Sequence, residues 1–201
     1  MRTLLLMPAL LVGCTPHLTT PKWARDGDGT GSGADWEAPS NSWPAVEAVP
    51  ADLVAEGFTE GLTFPDIRLM DQHGDIVSVW QFYGMVIAVD ISTMWCGPCN
   101  KLAKEVDHTW ESYADRGFMY LTMLPEDSEG GPMELEDTLE WVERHDIVAP
   151  ILADDQGYSY DIVPNQIWPR VLVIGRDMRV TNDEVLPAED AAIRAAIEAA
   201  L

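Results

Sequence analysis

Two cysteines three positions apart, where a buried strand gives way to a helix, constrain this chain more than any other feature. Residues 85–91 are a nearly continuous apolar run rich in β-branched side chains, which is typical of a central strand covered on both faces. Cys96 and Cys99 follow, and apolar residues spaced by three or four positions predict a helix from Pro98 to Arg116. A cysteine just before a helix lies near unpaired backbone N–H groups and the positive end of the helix dipole, which favour thiolate over thiol. Cys96 is therefore the candidate nucleophile, and Cys99, one turn later, is placed to form a disulfide with it and to act as the more buried, resolving thiol.

The pattern from Phe58 onward predicts one mixed α/β domain, and a chain of 201 residues has room for one such domain plus appended sequence. Short apolar runs around turns predict two hairpins, and longer periodic stretches predict helices. In chain order we expect strands at 67–70, 76–79 and 118–124, a helix at 135–145 with Leu135, Leu139 and Val142 facing inward, strands at 171–174 and 178–182, and a helix at 188–201. This order favours a central mixed β-sheet flanked by helices, with an N-terminal β-hairpin extension.

The segment Trp95-Cys-Gly-Pro-Cys99 is identical to the active-site motif of thioredoxins, and residues 58–201 resemble the TlpA and alkyl-hydroperoxide-reductase/thiol-antioxidant superfamily of membrane-anchored redoxins. The usual opening of that superfamily is matched by Phe64-Pro65-Asp66 and by the turn at residues 71–75. The resemblance implies a thioredoxin-like domain and a redox-active Cys96/Cys99 pair without a further cofactor. Trp95, Gly97 and Pro98 would support this pair, and Pro98 suits the first turn of a helix because it has no N–H to lose.

Three further site residues follow from the resemblance. Asp90 matches the buried carboxylate that accepts a proton from the second cysteine, and burial there would raise its pKa towards neutrality; a purely structural aspartate is the alternative. Pro169 matches a cis-proline opposite the cysteines, and Trp168 would present its backbone to a substrate segment. Arg170 stands where threonine is common, which leaves the substrate preference open. An ordinary trans proline would weaken this interpretation.

The N-terminus predicts export and lipid anchoring. Residues 1–13 read as a short signal peptide that ends in Leu-Val-Gly before Cys14, which resembles the lipobox of bacterial lipoproteins and implies an acylated Cys14 at a membrane surface. The apolar stretch is too short to span a bilayer of about 30 Å. Thr15 favours the outer membrane over the inner membrane. An ordinary cleaved signal is the alternative.

Residues 14–57 are rich in Gly, Pro, Ser and Thr without a helix or strand period, so we expect a disordered acidic linker before a domain spanning 58–201. Within the linker, residues 26–37 match part of a calcium-loop pattern. Position five of the pattern is Thr30 and position eight is Gly33, and no flanking helices are evident, so a solvated linker is the favoured interpretation.

The charge, the cysteine count and the residue after Cys99 argue against several classes of function. A formal net charge of −22 makes a nucleic-acid partner improbable, because the phosphates would be repelled. A c-type haem needs His after the second cysteine, where Asn100 stands. We expect no metal site, because zinc takes four ligands and only Cys96 and Cys99 remain once Cys14 is lipidated.

These features predict a monomeric, membrane-anchored thiol–disulfide oxidoreductase in the bacterial cell envelope, facing the periplasm. We expect it to act as a disulfide reductase on exported proteins, with electrons supplied by a membrane donor such as a thiol–disulfide transporter. One alternative is a peroxiredoxin-like thiol peroxidase, whose P-x-x-x-[ST]-x-x-C motif is met at Thr93 but has Val89 at its proline position. The other is a lipoprotein binding module in which the Cys96–Cys99 disulfide is only structural.

Overall fold

A seven-stranded mixed sheet forms the centre of the computed structural model, which describes residues 31–201. The strand order is β2-β1-β5-β4-β3-β6-β7. The strands are β1 (Arg68–Asp71), β2 (Ile76–Ser78), β3 (Val86–Ile91), β4 (Phe118–Leu124), β5 (Ile151–Ala153), β6 (Arg170–Ile174) and β7 (Val180–Asn182). The predicted α/β class, the mixed sheet and both hairpins are confirmed, with strand ends shifted by one or two residues.

The two central strands are the parallel pair β3 and β4, in register from Val86 opposite Phe118 to Ile91 opposite Met123. Every residue of both strands is buried. One face of the sheet packs against the helices α2 (Val106–Tyr113), α3 (Leu135–His145) and α5 (Asp190–Ala200). The other face is covered by the N-terminal part of the chain and by the short helix α4 (Ser159–Ile162). Because β3 and β4 are each covered on both faces, their sequences are apolar without alternation, and both strands could therefore be predicted from the sequence.

The helices are α1 (Gly97–Leu102), α2 (Val106–Tyr113), α3 (Leu135–His145), α4 (Ser159–Ile162) and α5 (Asp190–Ala200). The single helix predicted from Pro98 to Arg116 is divided by a 3-10 turn at Ala103–Glu105. The apolar residues whose spacing predicted this helix do face inward: Leu102, Val106 and Tyr113 are buried, and Trp110 is half-buried. No helix among residues 31–201 is long and apolar enough to cross a membrane.

The inward face predicted for α3 is wrong at one position. Thr138 and Trp141 are fully buried, whereas Leu139 is 48% exposed and Leu135 and Val142 are only half-buried. Residues two apart on a helix do not share a face, so burying the large Trp141 ring turns Leu139 towards solvent. The tryptophan, with more apolar area to remove from water, sets the orientation of the helix.

The structure adds two short elements that the sequence analysis missed, β5 and α4. Each has only three or four residues, which is too short for a helical or strand period to be visible. They occupy the stretch that follows α3, and β5 extends the sheet by pairing with both β4 and β1.

The prediction of a disordered linker does not hold for residues 31–57, because this segment packs on the domain. The Trp36 ring is 8% exposed and its Nε1–H donates to Ser78 Oγ at 3.1 Å. Trp43 Nε1–H donates to Asp71 Oδ2 at 2.6 Å, and Val49 joins the same core cluster as Trp36. The segment is rich in Gly and Pro because it follows an irregular path, and its tryptophans supply the apolar area that anchors it. The predicted signal peptide, Cys14 and most of the calcium-loop pattern lie outside the described residues.

Candidate active site

Cys96 and Cys99 form a disulfide at the start of α1, with their Cα atoms 5.2 Å apart. Cys96 is the N-cap residue of this helix, and the backbone N–H of Cys99 donates to its Sγ at 3.2 Å. Cys99 is fully buried, whereas Cys96 keeps 5% of its surface exposed. Helix N–H groups directed at a sulfur stabilise negative charge on it, so Cys96 is the sulfur better suited to exist as a thiolate and to meet another molecule.

The residues next to the cysteines form an exposed rim. Trp95 is 52% exposed, and Gly97 and Pro98 are also at the surface. A groove of about 750 Å³ runs from this rim along α1 to the first turn of α5. Gly97 and Pro98, which lie between the two cysteines, form one end of this groove, so the disulfide lies next to a concave surface.

Asn100 holds the turn between β3 and α1 in shape, a role that the sequence analysis missed. Its side-chain amide donates to the carbonyl oxygens of Met94 at 2.9 Å and Cys96 at 2.8 Å. Arg144, on α3, also donates to the Met94 carbonyl, at 3.2 Å, and His145 Nε2 lies 3.1 Å from Asn100 Oδ1. Since the α3 residues lie more than 40 positions away in sequence, no local signal could have identified them.

Asp90 lies on β3, on the same face as Val86 and Ala88, which pack in one cluster with both cysteines. It is 1% exposed, and its Oδ1 accepts a hydrogen bond from Ser92 Oγ at 2.7 Å. Burial raises the pKa of the Asp90 carboxyl from 3.8 to about 7, although the nearby hydroxyl groups of Ser92 and Tyr120 oppose the rise. A carboxyl group with this pKa can both take up and release a proton near neutral pH.

The peptide bond between Trp168 and Pro169 is cis, the geometry that the resemblance implies for this position. Leu186–Pro187, which the sequence analysis did not single out, is also cis. Antiparallel pairing of β6 with β3 sets Arg170 opposite Ile91, so Trp168 and Pro169 lie beside the end of β3 from which the chain continues to Cys96. Arg170 forms an ion pair with Glu184 at 3.0 Å.

Glu126, which follows β4, was also missed by the sequence analysis. Its carboxylate accepts hydrogen bonds from Trp95 Nε1 at 2.6 Å and from the Tyr160 hydroxyl at 2.8 Å. Tyr160 in turn makes an edge-on ring contact with Trp168, with centroids 6.3 Å apart. Glu126 is separated from these partners by 31 and 34 positions, so only the fold brings them together.

Within residues 31–201 no group of three or more His, Cys, Asp and Glu side chains is arranged to hold a metal ion. The chemistry that the site offers is that of its two sulfurs and one buried carboxyl group. A dithiol with a nearby proton acceptor can exchange with another disulfide, passing two electrons and two protons.

The fold and the Cys96–Cys99 pair together define a thioredoxin-like thiol–disulfide oxidoreductase. Residues 61–182 match the model of the AhpC/TSA family, which is more than half of the chain. The chain therefore belongs to the AhpC/TSA family. No curated protein sequence matches it.

Solved structures share the fold at low sequence identity. The thioredoxin domain of a thiol-disulfide oxidoreductase from Bacteroides vulgatus is 17% identical, with a TM-score of 0.58 over 70% of this chain and 96% of that one. A thiol:disulfide interchange protein of the thioredoxin family from Chlorobium tepidum is 16% identical, with a TM-score of 0.56 over 67% of this chain and 92% of that one. A secreted Mycobacterium tuberculosis disulfide oxidoreductase is 12% identical, with a TM-score of 0.54 over 67% and 96% of the two chains. At these identities the likeness establishes the fold.

Proposed function

We propose that the protein is a disulfide reductase that acts on exported proteins through Cys96 and Cys99. The observation that carries this proposal is the position of the pair. Cys96 caps α1, and a helix N–H is directed at its sulfur. Cys99 is buried, and it packs in one cluster with Val86 and Ala88, which lie on the same face of β3 as Asp90. A disulfide that only stabilised the fold would not require a buried carboxyl group with a pKa of about 7, such as that of Asp90, in its surroundings.

In the proposed reaction, the Cys96 thiolate attacks one sulfur of a client disulfide. The client's other sulfur leaves as a thiolate and takes up a proton, and a mixed disulfide now joins Cys96 to the client. Asp90 accepts the proton of Cys99, whose thiolate then attacks Cys96 Sγ. The client is released with both cysteines reduced, and the enzyme holds the Cys96–Cys99 disulfide. Two electrons have passed to the client.

The client segment is proposed to lie between the rim at Trp95 and the loop at Trp168 and Pro169. The rim at Trp95 directly precedes α1, and the loop at Trp168 and Pro169 leads into β6, which pairs with β3. Backbone groups of Trp168 would pair with an extended client segment, much as an added strand pairs with a sheet edge. Such pairing reads the client backbone, so it accepts many sequences.

Reuse of the enzyme requires a donor that reduces the Cys96–Cys99 disulfide again. In an oxidising compartment we propose a membrane thiol–disulfide transporter for this step. We further propose that acylated Cys14 holds the protein at the membrane of the cell envelope, facing the periplasm. Expression with a labelled fatty acid tests the anchor: the wild-type chain should incorporate label, and C14S should not. An unlabelled wild-type chain would exclude the lipoprotein assignment.

Reduction of insulin disulfides tests the reductase activity. With dithiothreitol as the electron source, the wild-type protein should accelerate insulin reduction well above the rate with dithiothreitol alone, and C96S should abolish the acceleration. C14S is a matched control, since it removes a cysteine outside the proposed site and should retain full activity. A wild-type protein without turnover would contradict the proposal and favour the alternative of a lipoprotein binding module whose disulfide is only structural.

A thiol peroxidase is the second candidate, and it is favoured by the AhpC/TSA family match together with Thr93. The Thr93 side chain is fully buried three residues before Cys96, and its hydroxyl has no hydrogen-bond partner among the described residues. Peroxide consumption by the reduced protein tests this candidate. Turnover of hydrogen peroxide faster than turnover of insulin would establish the peroxidase as the main activity, whereas slower turnover supports the reductase.

A further inference from the structure

The carboxylate of Glu126 connects the two sides of the proposed client groove, by which we mean the space between the rim at Trp95 and the loop at Trp168 and Pro169. One oxygen accepts the indole N–H of Trp95 at 2.6 Å, and the other accepts the hydroxyl of Tyr160 at 2.8 Å. The Tyr160 ring then contacts the Trp168 ring edge-on. A continuous chain of contacts therefore runs from the residue before Cys96 to the residue before Pro169.

Glu126 is held firmly by its own backbone and by the loop that follows. Its carbonyl oxygen accepts the N–H of Met94 at 3.1 Å, which ties it to the strand-to-helix turn. Asp127 closes the loop, because its Oδ1 accepts the N–H groups of Glu129 at 2.7 Å and Gly131 at 2.8 Å. The carboxylate is thus placed before any client arrives, and such preorganisation lowers the entropic cost of binding.

The same carboxylate has acceptor capacity left over. A carboxylate offers about four lone-pair sites, and Trp95 and Tyr160 use two of them. None of the ion pairs among the described residues involves Glu126, whose side chain is half-buried at the rim. The influence of its negative charge is visible at Tyr160, where burial and the interaction with Glu126 raise the pKa of the phenol to about 12.

We propose that Glu126 is a positioning and specificity-determining residue, which fixes Trp95 and Tyr160 as walls of the client groove and favours client segments with Lys or Arg beside the reacting cysteine. The inference rests on the proposed function. Glu126 does not touch the reacting sulfurs in this account. It acts through the two aromatic side chains, and its unused lone pairs bind the basic side chain of the client.

Two disulfide-bonded peptides that differ only in a Lys or a Glu next to one cysteine test the inference. At low salt the wild-type protein should reduce the Lys peptide with a kcat/KM about tenfold higher than that of the Glu peptide, mainly through KM, as expected for one charge-assisted hydrogen bond. In E126Q the preference should fall to about twofold or less. Hydroxyethyl disulfide has no flanking residues, so its rate with each variant gives the basal turnover against which the two peptide rates are normalised.

E129Q is the matched control, because Glu129 lies exposed on the same loop and the substitution removes the same charge. It should keep the preference for the Lys peptide. Y160F tests the connection from the other side: it should weaken binding of both peptides and, in a double-mutant cycle, be less than additive with E126Q. Thermal unfolding verifies that each variant is folded, and Y160F serves as the probe if E126Q is not.

Several outcomes would overturn the inference. If E126Q retains the preference while the wild-type protein is active, Glu126 does not select the client. If E129Q loses the preference as fully as E126Q, only the overall charge matters. If the wild-type protein reduces neither peptide nor hydroxyethyl disulfide, the proposed function fails and this inference fails with it.

Discussion

Asp90 carries the acid–base chemistry of the account at the scale of single residues. It is fully enclosed on β3, where the hydroxyl groups of Ser92 and Tyr120 stabilise its anion, and it takes part in none of the ion pairs among residues 31–201. Burial without a counter-charge raises the pKa of a carboxyl group, because the charged form loses its hydration. The residue therefore costs the fold stability, and in the proposed reaction it serves as a proton acceptor near neutral pH.

The first prediction concerns this cost. The pKa of Asp90 is about 7 in the folded chain and 3.8 for the ordinary carboxyl group, so protonation favours the folded state. The contribution of Asp90 to stability is greatest below pH 3.8, declines as the pH rises through about 7, and is then constant. D90N removes this decline, and at pH 8 it should be more stable than the wild-type protein by up to about 4 kcal/mol.

Urea denaturation of both oxidised proteins between pH 4 and 8 provides the measurement. The difference in free energy of unfolding should shrink steadily towards low pH. In the same variant, the pH dependence of insulin reduction should lose its inflection near 7, and turnover at pH 7 should fall by about tenfold or more. A stability difference that stays constant with pH would show that Asp90 is not the titrating group.

The N-terminal segment matters at the scale of structural elements. Residues 31–57 cover one face of the sheet and contribute Trp36 to the core, so the folded unit is larger than the domain that begins at Phe58. Truncating a buried tryptophan leaves a cavity, and here it also removes the indole N–H that donates to Ser78 Oγ. W36A should therefore lower the free energy of unfolding by about 3 kcal/mol or more.

V54A is the control for this prediction, because Val54 lies in the same segment but is 55% exposed. It should change the free energy of unfolding by less than about 0.5 kcal/mol. Equal and small effects of both substitutions would mean that the segment does not contribute to the stability of the core.

The elements that could be predicted from the sequence are those whose signals are local. Such local signals are the apolar runs of β3 and β4, the hairpin of β6 and β7 and the Cys96–Cys99 spacing, each visible within a few residues. By contrast, β5 is too short to show a period, and the burial of Trp36 depends on a partner 42 positions away. The exposed position of Leu139 depends on how α3 rotates against the sheet.

Within the candidate site, too, some residues have a local sequence signal and others do not. The cysteines and Asp90 fall within ten consecutive positions, and a motif of known spacing identified all three. Glu126 follows β4 and Tyr160 lies on α4, and neither carries a motif. Asn100 directly follows Cys99, but its contacts with the Met94 carbonyl and with α3 form only in the folded chain. Their roles depend on tertiary contacts, which a single sequence does not specify.

Charge is the dominant property at the scale of the whole molecule. The residues after Gly57 include 9 Lys and Arg and 27 Asp and Glu, a net charge of −18, so the acidity belongs to the folded domain. Only seven ion pairs are formed among residues 31–201, and much of the negative charge is therefore uncompensated. Self-repulsion of this kind destabilises the compact state and is screened by salt.

The thermal midpoint of the wild-type protein should accordingly rise as sodium chloride is increased from 0.05 to 0.5 M, where the Debye length falls from about 14 to about 4 Å. Most of the rise should come below about 0.2 M, as screening predicts. A midpoint that is independent of salt would show that the acidic surface does not oppose folding.

Trapping of the reaction intermediate tests the central claim, that Cys96 attacks the client disulfide and Cys99 then resolves the mixed disulfide. Reduced C99S, C96S and wild-type proteins are mixed with a disulfide-bonded peptide, quenched with acid and mapped by mass spectrometry. C99S should accumulate a stable mixed disulfide at Cys96, C96S should form little, and the wild-type protein should return to its internal disulfide. Faster adduct formation at Cys99 in C96S than at Cys96 in C99S, or no adduct in either, would contradict the account.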